Sequence, residues 1–307
     1  MQKRWQIRKV EKSCLKQLCC DLSLPVSIAR ILMNRGIITP LAAERFLDPG
    51  LSLLKTLDRL PYLSDAVQLL DKAIRAGKRI LVFGDYDADG LTACAILTLF
   101  LRKFSESVEP YIPNRFQEGY GLSLQAMPSI IEKNPHLVLT VDCGIKDFEG
   151  VSSLKKQGIG VIITDHHLPE PGRWPEADVV LATCDRETGH LISPLSGAGV
   201  ALALAQAYAD LRKVDREPID EYLGMACIGT VGDVVPLLEE NRVIVKYGLR
   251  NINSNPLPGI QAILELAGLC SRKISASEIG YILAPRLNAA GRMNDSAPAL
   301  KLLLSQT

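Results

Sequence analysis

The sequence predicts an α/β fold built on a parallel, doubly wound sheet, with an N-terminal helical annex and a mostly helical C-terminal part. Three observations predict it. From residue 79 the pattern alternates strand, loop and helix. The strand candidates, 79–84, 108–112, 137–141, 159–164 and 178–182, are short continuous apolar runs, as expected of strands covered on both faces. Helical segments at 91–103, 122–133 and 147–157 fall between them, which implies right-handed crossovers.

In chain order, residues 1–60 read as a small helical annex. Leu24-Pro25-Val26-Ser27 leads into the helix 28–33, and Gly36 stops it. Thr39 and Pro40 supply the cap and first position of the next helix, which runs to Leu47 and ends at Asp48-Pro49-Gly50. Ser64 is the expected cap of a further helix, 66–75, ended by Gly77. After the sheet region, the polar stretch 183–197, containing Gly and Pro, reads as a connector. Helices are expected at 198–212, 219–229, 240–253, 258–268, 275–283 and 296–305. The division expected is therefore 1–77 for the annex, 78–194 for the sheet part and 195–307 for its helical continuation.

Composition bounds the rest. A chain of 307 residues exceeds the usual single-domain size, and 47% apolar residues suffice for a sizeable core. No apolar run approaches the ~20 residues that span a bilayer. Met1-Gln2-Lys3-Arg4-Trp5-Gln6 lacks the apolar stretch of a signal peptide. Eight scattered cysteines without a Cys-x-x-Cys pair fit reduced thiols in a cytosolic protein, not a disulfide frame or a zinc knuckle. A net charge of +1 gives no sign of a nucleic-acid partner, but a few placed arginines and metal ions can hold a phosphodiester without it.

The chemistry concentrates at the ends of apolar segments. Residues 80–84 run into Asp85, Asp87 and Asp89; 137–141 into Asp142; 161–164 into Asp165, His166 and His167; and 228–232 into Asp233. Ligands of doubly wound sheets bind outside the carboxyl ends of the strands. Carboxylates at i, i+2 and i+4 point to one side of an extended segment, so Asp85, Asp87 and Asp89 would converge. A solvated acidic turn explains that triplet alone equally well. Calcium loops share the spacing but need two flanking helices and a terminal Glu, which are missing here. Asp142 alone reads as a helix cap, though Asp147 is better placed for that. Loop histidines are often just hydrogen-bonded to backbone, and Asp165 could instead orient an imidazole. The chain spends two of its four histidines side by side here. Taken together, carboxylates with one or two imidazoles favour Mn²⁺ or Mg²⁺. Five or six such ligands suit a carboxylate-bridged pair of ions, which activates a water and steadies the leaving oxygen in phosphoester hydrolysis.

These motifs resemble the DHH phosphoesterase superfamily. Its four motifs are matched in order by Asp85-Tyr86-Asp87-Ala88-Asp89-Gly90, Asp142, Asp165-His166-His167 and Asp233. Within it the chain is similar to the bacterial exonucleases that degrade single-stranded DNA 5′→3′. The segments carrying that likeness are 112–122, 229–237, 284–293 and Asn34-Arg35-Gly36-Ile37 of the annex.

The resemblance implies that Asp87, Asp89, Asp142, His166 and Asp233 bind metal, that His167 contacts the scissile phosphate or the metal water, and that Asp85 and Asp165 support them. It also implies that Arg115, Arg286 and Arg292 hold DNA phosphates, with Asn288 a phosphate donor or a turn residue. A surface ion pair is the plainer reading of each arginine. The implied activity is metal-dependent release of mononucleotides from single-stranded DNA in repair and recombination. The alternative is a phosphodiesterase of the superfamily acting on short oligonucleotides or cyclic dinucleotides. Implied partners are single-stranded DNA, a single-strand-binding protein and a helicase, with no membrane. There are two departures. Many members carry a histidine four residues before Asp87, where this chain has Phe83, so the ion near Asp87 is expected to have fewer protein ligands. And nothing up to Thr307 resembles the second DHH-associated domain or the oligonucleotide-binding barrel of those exonucleases, so weaker DNA binding is expected.

Overall fold

The computed structural model describes residues 6–214, 217–293 and 296–306, so the first five residues of the stretch read for a leader lie outside the described residues. Two compact units form, divided between Leu53 and Leu54. The first holds helices α1 (Lys12–Asp21), α2 (Val26–Asn34) and α3 (Pro40–Leu47). Leu18, Ala29, Leu32, Ile37 and Ala43 make its core. Thr39 caps α3 as expected, its hydroxyl accepting from the Ala42 amide at 3.2 Å, with Pro40 in the first turn. Helix α1 was not anticipated. It starts on Glu11, whose carboxylate accepts from the Ser13 and Cys14 amides.

The second unit is built on five parallel strands: β1 (Ile80–Gly84), β2 (Val108–Tyr111), β3 (Leu137–Val141), β4 (Gly160–Asp165) and β5 (Val179–Ala182). Their order is β2-β1-β3-β4-β5. All five expected strands are therefore present, and β1, β3 and β5 are buried throughout. Alternation explains the two covered faces. Leu81, Phe83, Val138, Val161 and Ile163 share one apolar cluster with α6 (Met127–Glu132) and α7 (Phe148–Lys156). The other face receives α5 (Ala88–Arg102) and α8 (Gly197–Arg212), which also pack on each other. Residues 88–101 of α5 are all buried, as their nearly unbroken apolar sequence requires.

Helix α4 (Leu63–Arg75) corrects the expected annex boundary at 77. Its stripe of Leu63, Ala66, Val67, Leu70, Ala73 and Ile74 is buried, and it packs on α8 and β5, so it belongs to the larger unit. Its cap is Tyr62 in the left-handed region (φ 61°), not Ser64, whose hydroxyl instead accepts from Gln68. The expected parts 78–194 and 195–307 form one unit.

Beyond α8 come α9 (Glu217–Asp220), α10 (Leu223–Gly232), α11 (Glu239–Ser254), α12 (Pro258–Leu266), α13 (Ala276–Glu278), α14 (Ala284–Arg292) and α15 (Ala297–Leu303). Two further expectations need correction. The helix expected over 122–133 is shortened to α6, because Ser123 closes a turn on the Ala126 amide and Pro128 opens the helix. Residues 284–292, read as motif only, are helical. A π-helical stretch, Ile279–Leu283, lets the chain continue into Pro285 at the start of α14. Among the described residues no helix is long and apolar enough to cross a membrane.

Candidate metal centre

The carboxyl ends of β1, β3 and β4 converge on one point, and α10 reaches it from the side. Beyond Gly84, the Asp85 carboxylate accepts from the Tyr86 amide at 2.7 Å. Asp87 is the N-cap of α5, its Oδ1 accepting from the Asp89 and Gly90 amides at 2.9 and 3.0 Å. Asp89 is therefore on a helical turn, not in the extended segment the spacing suggested. Its two oxygens accept from the first amides of α8, Gly197 at 2.6 Å and Ala198 at 2.9 Å. The positive end of that helix steadies a buried anion.

Asp142 follows β3 with φ 61°, a left-handed conformation that costs energy for a residue other than glycine. Its amide donates to Thr164 O on β4 at 3.0 Å, which holds the side chain inward. Asp233 caps the carboxyl end of α10, so it arrives from a helix and not from a strand. His166 and His167 follow β4, with ring centroids 4.5 Å apart.

His166 sits amid the carboxylates. Its Nε2 lies 3.0 Å from Asp142 Oδ1, 3.6 Å from Asp233 Oδ2 and 3.8 Å from Asp89 Oδ2. Yet neither His166 Nε2 nor Asp142 Oδ1 is aligned for a hydrogen bond, and both are buried without one. Unsatisfied buried polar atoms are rare because each costs about 1–3 kcal/mol. Two such atoms facing each other within a ring of carboxylates are what a divalent cation would satisfy. Three sets of candidate ligand atoms lie within coordination reach of one another: Asp89, His166 and Asp233; Asp142, His166 and His167; and Asp85, Asp87 and Asp142. Asp142 belongs to two of them, as a bridging carboxylate would. Phe83 is buried and stacked on Tyr111, so the set around Asp87 receives no imidazole from β1.

The electrostatics agree. Burial, then the neighbouring Asp87, pushes Asp85 up to about 7. Burial and the surrounding carboxylates raise Asp89 and Asp142, and lift Asp233 to about 6. Burial and the adjacent His167 lower His166 to about 4, which keeps its imidazole neutral and able to ligate. His167 goes the other way. Its Nδ1 lies 2.8 Å from Asp165 Oδ1, and this hydrogen bond raises it despite partial burial. Burial acts to raise Asp165. The bonds and charge of His167, with the Ile145 amide, outweigh it and hold Asp165 below the ordinary range.

The basic positions are distributed around this centre. The Arg115 guanidinium lies 5.0 Å from the ring centroid of Tyr86, between the metal-side residues Asp85 and Asp87. Its loop is anchored by Glu118, which accepts from Tyr111 Oη at 2.6 Å and the Asn114 amide at 2.7 Å. Arg286 is exposed and donates to Ile282 O at 2.9 Å, and Arg292 is exposed near the end of α14. Neither forms the carboxylate pair that was the plainer alternative, since no salt bridge involves them among the described residues. Asn288 is not in a turn. It lies within α14, and its Oδ1 accepts from the Ala88 amide at 2.6 Å.

Several contributors were missed by sequence reasoning. The Gly197 and Ala198 amides that grip Asp89 lie where a connector was expected to end. A Cβ on Gly197 would come within 2.6 Å of Asp142 Cβ, and one on Gly229 within 2.4 Å of Asp89 Oδ1. The usable signal was Ser196, whose hydroxyl caps α8 by accepting from Gly199 at 3.2 Å.

The chain is similar to known proteins. A family model described as the DHH family, N-terminal domain, matches residues 79–230. The single-stranded-DNA-specific exonuclease RecJ of Bacillus subtilis (strain 168) is 35% identical over 303 residues, covering 99% of this chain and 38% of that protein. RecJ of Escherichia coli (strain K12) is 35% identical over 315 residues, 99% of this chain and 53% of that protein. The chain thus spans between about a third and a half of the length of these relatives. Among solved structures, RecJ of Thermus thermophilus in complex with Mn²⁺ aligns with a TM-score of 0.81 at 34% identity, over 97% of this chain and 42% of that one. An exonuclease RecJ bound to manganese aligns with a TM-score of 0.72 at 40% identity, over 80% of this chain and 61% of that one.

Proposed function

Since the chain belongs to the DHH family, we propose that it is the catalytic core of a metal-dependent 5′→3′ exonuclease that releases mononucleotides from single-stranded DNA. The observation that carries this reading is the unpartnered, facing pair of Asp142 Oδ1 and His166 Nε2 within the carboxylate ring. Its identity with exonucleases of that specificity over nearly the whole chain supports the choice of substrate.

In this reading Asp89, Asp142, His166 and Asp233 would hold one Mn²⁺ or Mg²⁺, and Asp87 and Asp142, with Asp85 beside them, would hold a second. Bound ions of this kind lower the pKa of water and offset charge on phosphodiester oxygens. The protein supplies the remaining chemistry. His167, whose protonated form Asp165 favours, donates a hydrogen bond to a non-bridging oxygen of the scissile phosphate as negative charge grows there. Asp85 supports the turn beneath it. Arg115, braced on Tyr86, seats the 5′ phosphate through its forked donors. Arg286 and Arg292 hold phosphates further along the strand.

The same reading places the protein in the cytoplasm, in DNA repair and recombination, alongside a single-strand-binding protein and a helicase. The free state of all eight cysteines is compatible with a reducing compartment. The test is a Mn²⁺-dependent assay on 5′-labelled single strands of graded length beside the matching duplex. Stepwise shortening of the single strands from the 5′ end is expected. Cleavage of dinucleotides alone, or equal attack on duplex, would contradict the proposal.

A further inference from the structure

Asn288 was expected to be a phosphate donor or a turn residue, but its contact in the fold points elsewhere. The opposing group, the Ala88 amide, can only donate, so the side-chain atom facing it must be the carbonyl oxygen. That amide is one of the four unpaired donors at the start of α5. Asp87 takes the next two, through Asp89 and Gly90, and the backbone oxygen of Asp87 takes the Leu91 amide. Asn288 thus completes the cap of the turn that carries Asp87 and Asp89, from 200 residues further along the chain.

The surrounding seam is made of small residues. A Cβ on Gly232 would lie 3.1 Å from Ala284 Cβ and 3.3 Å from Ala88 Cβ, and one on Gly291 only 2.9 Å from Tyr86 O. Helix α14 is therefore pressed against the Tyr86–Ala88 turn and against the end of α10 just before Asp233. The π-helical stretch ahead of Pro285 sets the phase that brings Asn288 to this seam.

We infer that Asn288 is a positioning residue that fixes the Asp87–Asp89 turn for metal binding through its acceptor oxygen, and is not a donor to DNA. The inference rests on the metal-centre reading above. It makes α14 one element that both braces the metal turn, through Asn288, and carries the exposed Arg286 and Arg292.

The experiment is calorimetric titration of Mn²⁺, without DNA, into the wild-type chain, Asn288→Asp and Asn288→Leu. Asp keeps an acceptor of the same shape and loses the donor; Leu keeps the volume and loses both. Leu should weaken Mn²⁺ binding on the order of tenfold, as loss of a supporting hydrogen bond typically does. Asp should bind Mn²⁺ at least as tightly as wild type. Strand binding in EDTA should be unchanged by Leu. Equal Mn²⁺ affinity in Leu and wild type, or an Asp variant that binds at least tenfold more weakly than wild type, would overturn the inference. If Leu does not fold, the Asp variant decides by the same criterion. A wild-type chain that takes up no Mn²⁺ would instead overturn the metal-centre reading, and this inference with it.

Discussion

Asp142 Oδ1 and His166 Nε2 face each other at 3.0 Å, both buried, and neither is hydrogen-bonded. The two side chains come from the ends of adjacent parallel strands, β3 and β4, paired in register from Leu137 and Gly160. The register and the left-handed turn at Asp142 together produce the meeting. Folding therefore assembles a cluster that is unfavourable by itself and becomes favourable once a cation enters.

That cost should appear as pH-dependent stability without metal. Asp85, Asp89, Asp142 and Asp233 all bind their protons more tightly in the folded chain than in the unfolded one. Their contribution to stability is complete below about pH 4 and is lost as pH rises through the folded values, near 7 for Asp85 and 6 for Asp233. His166 opposes this, because its folded value of about 4 adds stability as pH rises from 4 toward 6.5. The carboxyls outnumber it. The metal-free protein should melt roughly 5 °C lower at about pH 8 than at about pH 6, and saturating Mn²⁺ should remove the difference. A metal-free melting temperature that climbs over this interval would count against the buried cluster.

Gly229 bears on the same cluster through space. An alanine there would press on Asp89 Oδ1, Thr92 Oγ1 and Ala198 Cβ at 2.4, 2.6 and 2.7 Å. Gly229→Ala should cost about 1–3 kcal/mol of stability by overpacking. It should also weaken Mn²⁺ binding, since Asp89 must move off the α8 amides. Chemical denaturation and metal titration of the folded variant check the two effects; a variant with wild-type stability and affinity would show the seam to be loose.

Asp165 and His167 form the second electrostatic unit. Asp165→Asn keeps an oxygen for the Ile145 amide but removes the charge that raises His167. The imidazole should then lose its proton at lower pH than in the wild type, and turnover at neutral pH should drop on the order of a hundredfold. Nuclear magnetic resonance of the ring protons follows the titration. An unmoved His167 curve would remove Asp165 from the account.

Arg115 is the specificity prediction. Arg115→Ala should raise KM for 5′-phosphorylated strands roughly tenfold or more, the worth of a charge-assisted hydrogen bond. A small generic phosphodiester should be affected far less. Equal losses on both substrates would mean that Arg115 serves the loop and not the 5′ end.

Much of this was legible in the residues. The five strands announce themselves as short apolar runs because both faces of the sheet are covered, and the groups at the ends of β1, β3 and β4 follow directly. Asp233 was found as a candidate, and a helix was expected over 219–229, but not that it runs on to Gly232 and ends on Asp233. The run Ile228–Gly232 is apolar in either period, so its helical continuation shows only in the packing against α5 and α11. The grip of Gly197 and Ala198 on Asp89 was invisible because it uses backbone amides. The role of Asn288 was hidden for a different reason: its partner is 200 residues away, and Pro285 discourages reading a helix through that segment.

The central claim, that these residues form a divalent metal centre bridged by Asp142, is tested most directly by calorimetric titration of Mn²⁺ into the wild-type chain and Asp142→Ala. The account predicts saturable binding in the wild type and its near-complete loss in the variant, with the variant still folded and, in the absence of metal, no less stable. Unaltered Mn²⁺ binding in folded Asp142→Ala would contradict it.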